Sequence, residues 1–444
     1  MPLHSRRSFL AGAAALGTLA LAGCGGRATE ETVTTETAAT PTRTRTDPVT
    51  ETPEPNVVDP EDAENVYYVD PRAGSDSNSG DSLDSAFETL RPVMYDAEFE
   101  LGAGDVVYLR GGVHKLRGDG SINLSYLTGT EEKPITIQAL PGERPVIDVN
   151  MKGSNGISMF GSEHIHLRGF ELKNVKRNGI ACSESNDGPA KSCVFEDLEI
   201  HHYGQGDERN GNGISFYGRS FDHFVRRVTA HHGGSKNSSD GFYIGGEGDR
   251  LSGDHRFEEC VAYLNADDGF DFYRSDPTRG SLVVNCVAYK NGTDGNGTTG
   301  DGNGFKMGGG WETGGNRCYR CVAYDNTAYG FDNNGASVAN TYDHCTSFRN
   351  GTFGFSFTGN TEPDNIARNS LAWLNGEGAV FQAFNVRSER NSWDLDIDDP
   401  EFAKTVTGDD FLRLTKGSPC IDAGVDIGEP YLGAAPDLGA FEYT

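Results

Sequence analysis

Positive charge is scarce in this chain, and lysine is scarcer still. Lys and Arg number 38 against 66 Asp and Glu, and only 11 of the 38 are lysines. A formal charge of −28 argues against nucleic acid as a partner, because a phosphate backbone is held by basic side chains. An acidic excess with so little lysine looks like adaptation to high salt, where dense carboxylates keep a surface hydrated. The chain also lacks a long apolar run. Its one apolar stretch, near the N-terminus, is too short and too small-sided to span a bilayer. Nor is there a segment with the length and 3.6-residue period of a substantial helix, which leaves an all-β architecture.

The first 24 residues read as an export signal. Ser5-Arg6-Arg7-Ser8-Phe9-Leu10 precedes the apolar stretch, as in twin-arginine signals. Leu21-Ala22-Gly23-Cys24 resembles a lipobox, which makes Cys24 the expected lipidation site and places the protein at the cell surface or outside the cell. Contact with a membrane is then expected only through that anchor. Residues 25–65 are rich in Thr, Glu and Pro and poor in large apolar side chains, so they read as a stalk. The remainder, 66–444, suits one elongated domain, expected to be monomeric.

That remainder is repetitive. Cys-Val-Ala-Tyr-x-Asn occurs at 260–265, 286–291 and 321–326, with weaker copies at 345–350 and 370–375. A second pattern is Gly, an apolar residue, then a variable one: Gly179-Ile180-Ala181, Gly213-Ile214-Ser215, Gly241-Phe242-Tyr243, Gly269-Phe270-Asp271, Gly304-Phe305-Lys306, Gly330-Phe331-Asp332, Gly354-Phe355-Ser356 and Gly378-Ala379-Val380. Each interval of about 24 to 35 residues holds short apolar strands between turns, too little to bury its own core but enough when stacked. The pattern predicts a right-handed parallel β-helix. Asn265, Asn291, Asn326, Asn350 and Asn375 predict an asparagine ladder, with Asn taking the left-handed turn. The Phe and Ile after each glycine predict an internal stack, and the repeated cysteines predict stacked thiols instead of disulfides. A short amphipathic helix over 87–98 is expected to cap one end, and the Gly/Pro-rich tail at 417–443 to finish the other.

In a strand alternate residues face opposite ways, so the variable residues form an outward column with a spacing of about 4.8 Å. Asp271 and Lys306 fall side by side in it. The residues before each glycine form a second column, in which Asp240 and Asp268 are one coil apart, with Asp267 adjoining. Asp-Gly and Asn-Gly are also ordinary turn dipeptides. Four carboxylates this close repel unless a cation joins them or some are protonated, and ligation by several carboxylates is the preference of calcium. The longest insertions, at 203–212, 233–240 and 292–303, precede this same column, as expected of a binding face.

Asp267-Asp268-Gly269-Phe270-Asp271-Phe272-Tyr273, Asn285-Cys286-Val287-Ala288-Tyr289 and Gly300-Asp301-Gly302-Asn303-Gly304-Phe305-Lys306-Met307 resemble polysaccharide lyase family 9, the β-helical pectate lyases. Ser239-Asp240-Gly241-Phe242 also matches that family's pattern. The resemblance implies calcium (Ca2+) ligation by Asp240, Asp267, Asp268 and Asp271, Lys306 as Brønsted base, and β-elimination from an acidic polysaccharide (a uronan) as the reaction. One departure is Tyr243-Ile244-Gly245-Gly246-Glu247, where the family tends to place small residues and a lysine. Arg274 and Arg279, just after the cluster, are candidates for binding neighbouring uronate carboxylates. A polygalacturonase-type hydrolase also uses clustered aspartates, and a calcium-stabilised carbohydrate-binding surface protein would need no base. A hydrolase requires neither Lys306 nor calcium.

Overall fold

The computed structural model describes residues 62–444 apart from 117–119, 207–210, 235–237, 294, 296, 298, 299 and 311. The export signal, Cys24 and nearly all of the stalk therefore lie outside the described residues. No helix among them is long and apolar enough to cross a membrane.

Three long sheets run the length of the described chain. The first has 12 strands, from Val66–Val69 to Val386–Glu389. The second has 10 strands, from Ile122–Asn123 to Gly378–Gln382, and the third has 10, from Gly112–Lys115 to Leu371–Trp373. Neighbouring strands in each sheet come from successive coils and pair in parallel. One coil visits the first sheet at Arg256–Glu258, the third at Val261–Tyr263 and the second at Phe270–Asp271. Crossovers between parallel strands are right-handed, so the coils wind into a right-handed parallel β-helix.

The second sheet keeps the register expected from the glycines as far as Gly354; in the last coil it slips by one, Phe353 pairing with Gly378 and Phe355 with Val380. Phe242 pairs with Phe270 and Tyr243 with Asp271; Phe270 then pairs with Phe305 and Asp271 with Lys306. Phe242, Phe270, Phe305, Phe331 and Phe355 are fully buried and stack at 4.6–4.9 Å between ring centroids. Burying each ring contributes roughly 1.5–3 kcal/mol, and each stacked pair about 0.5–1.5 kcal/mol more. The glycine before each Phe lets the coils close up: a Cβ on Gly269 would lie 2.6 Å from the Gly304 carbonyl oxygen.

The asparagine ladder forms, with Nδ2 donating to the next Oδ1 from Asn265 to Asn375 at 2.8–3.0 Å. The left-handed residue, however, is the one before each Asn: Leu264, Lys290, Asp325, Arg349 and Leu374 have φ of 51–54°. That leaves each Asn free to turn its amide inward. At the upstream end the Tyr203 hydroxyl takes the place of an amide and donates to Asn265 Oδ1 over 2.5 Å. The intervening coil carries Gly233 there, where a Cβ would lie 2.5 Å from the Tyr203 ring. All eight described cysteines are free and buried, and Cys286 Sγ accepts from the Cys260 N–H.

The two ends differ from expectation. The N-terminal helix spans only Arg91–Tyr95, because Pro92 sets its start and Asp96 is extended, its carboxylate accepting from Glu98 N to begin a 3-10 turn. The C-terminal tail doubles back along the flank of the helix. Glu429 Oε1 pairs with Arg317 at 3.0 Å, Pro430 O accepts from Arg320, and Ala440 N donates to Thr346.

Candidate active site

From Asn178 to Asn303, each residue before the glycine of the repeat sits where the chain enters the second sheet, and its side chain accepts from the backbone of the next coil. Asn212 N donates to Asn178 Oδ1, Asp240 N to Asn212 Oδ1, Asp268 N to Asp240 Oδ1, and Asn303 N to Asp268 Oδ1, over 2.7–3.2 Å. This is a second ladder, and two of its amides are replaced by carboxylates. An Asn at either position would offer a donor as its other side-chain atom; Asp240 and Asp268 offer an oxygen.

Asp267 adds a third carboxylate. One oxygen from each of Asp240, Asp267 and Asp268 lies within 4.8 Å of the other two. Oxygens around one calcium at about 2.3–2.6 Å are up to about 5 Å apart, so this spacing suits a shared cation. Asp268 Oδ2 is buried without a hydrogen bond, although Lys306 Nζ lies 3.1 Å away. Burial and the neighbouring acids push Asp240 well above the usual carboxylate range. Burial, then Asp268, pushes Asp267 up to about 8. A hard oxygen donor set with an unsatisfied buried oxygen fits calcium. Asp271, the fourth expected ligand, stands apart from the three facing oxygens. Its Oδ1 accepts from Tyr273 N, its Oδ2 is 3.7 Å from Lys306 Nζ, and burial pushes it up to about 7.

Lys306 and Asp271 are only 7% and 5% exposed, although they occupy the outward column. Walls account for the burial. Tyr243 neighbours Asp271 on the preceding coil, and the Tyr273 ring centre is 5.8 Å from Nζ. Asp301 reaches in from the end of the 292–303 segment to accept from Nζ at 2.8 Å. Burial alone would depress the lysine, but Asp271, Asp268 and Asp301 outweigh it and hold the ammonium well above its ordinary value.

Arg274 lies beside this wall, its guanidinium 5.3 Å from the Tyr273 ring centre. Arg279 packs elsewhere, over the Phe221 ring at 4.3 Å and toward Asp276, and is not brought to the lysine. Sequence reasoning missed two contributors, Asp301 and Asn303, the latter giving Asp268 Oδ1 both its N–H and its Nδ2. The Gly300-Asp301-Gly302-Asn303 run carried the signal, since polar residues placed between glycines so close to a lysine are available to line it.

Residues 67–378 match the family model described as Pel9A-like, right handed beta helix region. The chain belongs to the Pel9A-like right-handed β-helix family. Pectate lyase L of Dickeya chrysanthemi is 28% identical over 407 residues, covering 85% of this chain and 90% of that protein. Pectate lyase PEL9 of Emericella nidulans is 27% identical over 364 residues, covering 74% and 84%. Among solved structures, pectate lyase Pel9A superposes with a TM-score of 0.74 at 24% identity, covering 86% of this chain and 97% of that one. A rhamnogalacturonan lyase gives 0.63 at 21% identity, covering 79% and 97%. At such identities the structures speak for the fold. Family membership bears out the resemblance to polysaccharide lyase family 9 and makes the chain a polysaccharide lyase.

Proposed function

We propose that this lyase cleaves a polygalacturonate-type uronan by β-elimination, with Lys306 as the base and calcium as the cofactor. The observation that carries the reading is the pairing of Asp271 with Lys306 in adjacent strands, with the amine one coil beyond Asp267 and Asp268 and two beyond Asp240, whose carboxylates face one another. These three acids would hold the ion, and Asp271 is poised beside them. Calcium, when bound, supplies positive charge for the C6 carboxylate of the uronate and for the negative charge that builds at C5.

The protein's own groups do the rest. Lys306 Nζ takes the C5 proton, which requires a neutral amine. Asp271, Asp268 and Asp301 hold the amine protonated, so it serves as a base only when their charge is met by something other than its own ammonium. Asp301 fixes where Nζ points, and the Tyr243 and Tyr273 walls exclude water from it. Arg274, beside the Tyr273 wall, would bind a neighbouring uronate carboxylate. Departure of the O4 substituent then leaves a 4,5-unsaturated sugar. The export signal and a lipid anchor at Cys24, read from residues 1–24, belong to the same proposal, since the polymer lies outside the cell.

The test is digestion of polygalacturonate with and without chelator, followed by the ultraviolet absorbance of unsaturated uronate. Calcium-dependent absorbance that disappears in Lys306→Ala supports the reading. New reducing ends without absorbance would show hydrolysis, and polysaccharide binding without any product would show a carbohydrate-binding protein. Rhamnogalacturonan and alginate as parallel substrates identify the uronan.

A further inference from the structure

The third sheet carries a cluster with a different chemistry. His201-His202 and His231-His232 occur one coil apart, and His201 pairs with His231 in adjacent strands. The first histidine of each pair ends its strand, at Glu199–His201 and Thr229–His231. The second has φ of 53° or 54°. That left-handed turn breaks the alternation of a strand, so two consecutive imidazoles project on the same side. Their Nδ1 atoms face each other at 2.5 Å in one pair and 2.6 Å in the other. The pairs are stacked: His201 lies 4.8 Å from His231 with 2° between planes, and His202 lies 5.2 Å from His232 with 3°.

Carboxylates fix the inner rings. His201 Nε2 is 3.0 Å from Glu171 Oε1, and His231 Nε2 is 3.1 Å from Glu199 Oε1. A neutral imidazole that gives its Nε2–H to a carboxylate has a bare lone pair on Nδ1, the arrangement that orients histidine ligands in metal sites. Burial pushes His231 down to about 4, and His202 and His232 are also lowered, by burial first and then by neighbouring imidazoles. Two nitrogens each about 2.0–2.1 Å from one tetrahedral ion are about 3.3–3.4 Å apart, so each pair would open by about 0.8 Å, a swing that ring rotation supplies.

We propose that this double histidine pair is a second metal site, taking a divalent transition ion of the Zn2+, Ni2+ or Cu2+ class between paired Nδ1 atoms. Imidazole nitrogens prefer such ions, whereas the all-oxygen aspartate cluster prefers calcium, so the two sites select different metals. Both pairs cannot fill independently. Ions held in the two parallel rungs would sit one coil apart and repel, so one equivalent binds tightly.

The test is titration of Zn2+ into the full-length protein against a competing chromophoric chelator, with excess Ca2+ occupying the aspartates. Copper resonance spectra then count the nitrogen ligands. The variant His202→Asn/His232→Asn keeps side chains that tolerate a left-handed turn. The expected result is one equivalent of Zn2+, affinity lower by more than about tenfold in the double variant, and a smaller loss in Glu199→Gln, whose carboxylate only orients a ligand. Two imidazole nitrogens should appear on Cu2+ in the wild type, and uronan cleavage should be unchanged in the double variant. Equal affinity in wild type and double variant, or no nitrogen ligation of Cu2+, would overturn the site and leave each pair as two imidazoles sharing a proton.

Discussion

Two ladders run past each other where the chain passes from the third sheet to the second, and they differ by very few atoms. In the first, from Asn265 to Asn375, every rung is an amide whose Oδ1 accepts a backbone N–H and whose Nδ2 donates to the next rung. In the second, from Asn178 to Asn303, Oδ1 again accepts a backbone N–H, but Asp240 and Asp268 present a second oxygen where an amide would present NH2. The first ladder leaves little unsatisfied and stabilises the coils. The second, with Asp267 alongside, leaves a buried oxygen without a hydrogen bond and several like charges in contact. The proposed cation site would thus arise from a structural ladder by exchanging two amides for carboxylates.

The largest effect should come from removing the proposed base, Lys306, beside the second ladder. Lys306→Ala is expected to lower kcat by about 10³-fold or more, within the range for general bases. Its calcium affinity should be equal or higher, because a competing ammonium is gone. Full turnover in this variant would refute the assignment of the base. Next comes Asp268→Asn, which turns the carboxylate rung back into an amide. Calcium affinity should fall by about 100-fold, while stability without calcium should hold or rise as a like charge leaves. Calorimetric titration and chelated melting curves check the two halves, and unchanged affinity would mean that the ion binds elsewhere.

Much of the contrast is legible in the sequence, and its limits have physical causes. The Gly-Phe-Asp271 and Gly-Phe-Lys306 spacing predicts their pairing because a strand alternates with period two and glycine marks where coils close up. Asp240 and Asp268 fall one coil apart for the same reason. Burial of Lys306 was not legible, since it depends on Tyr273 and Asp301, which reach it through loop geometry that no periodicity encodes. The turn residues were misplaced by one position: asparagine's tolerance of left-handed φ is a preference, and here bonding of the Asn amides along the ladder decides their conformation. Composition alone points the tail to the end of the solenoid, whereas its position follows from Glu429 meeting Arg317 more than a hundred residues away.

Breaking the first ladder tests the other side. Asn326 donates to Ala288 O and Asn350 Oδ1 and accepts from Asn291. Asn326→Ala should cost about 2–3 kcal/mol, because it strips these bonds and leaves buried partners unpaired. Calcium affinity should stay within about twofold, since this ladder only sets the coil spacing. A large loss of calcium binding would mean that the ladders are not separable.

The smallest effect concerns pH. Amides do not titrate, so only the second ladder should make stability depend on pH. Burial and neighbouring acids hold Asp267 at about 8 and Asp271 at about 7 in the folded chain, against an ordinary carboxylate value of 3.8. Between roughly pH 4 and 8 the folded form therefore carries protons that the unfolded form has lost, and its stability falls as pH rises. Chelated protein should melt at a lower temperature at pH 8 than at pH 5. Saturating calcium should close that gap, because the ion then meets the charge that protons met at low pH. The gap should also narrow in Asp268→Asn, which removes one of the acids holding Asp267 and Asp271 high. If calcium left the gap intact, the pH dependence would belong to carboxylates outside this cluster, and the exchange of amide for carboxylate would not be what distinguishes the two ladders.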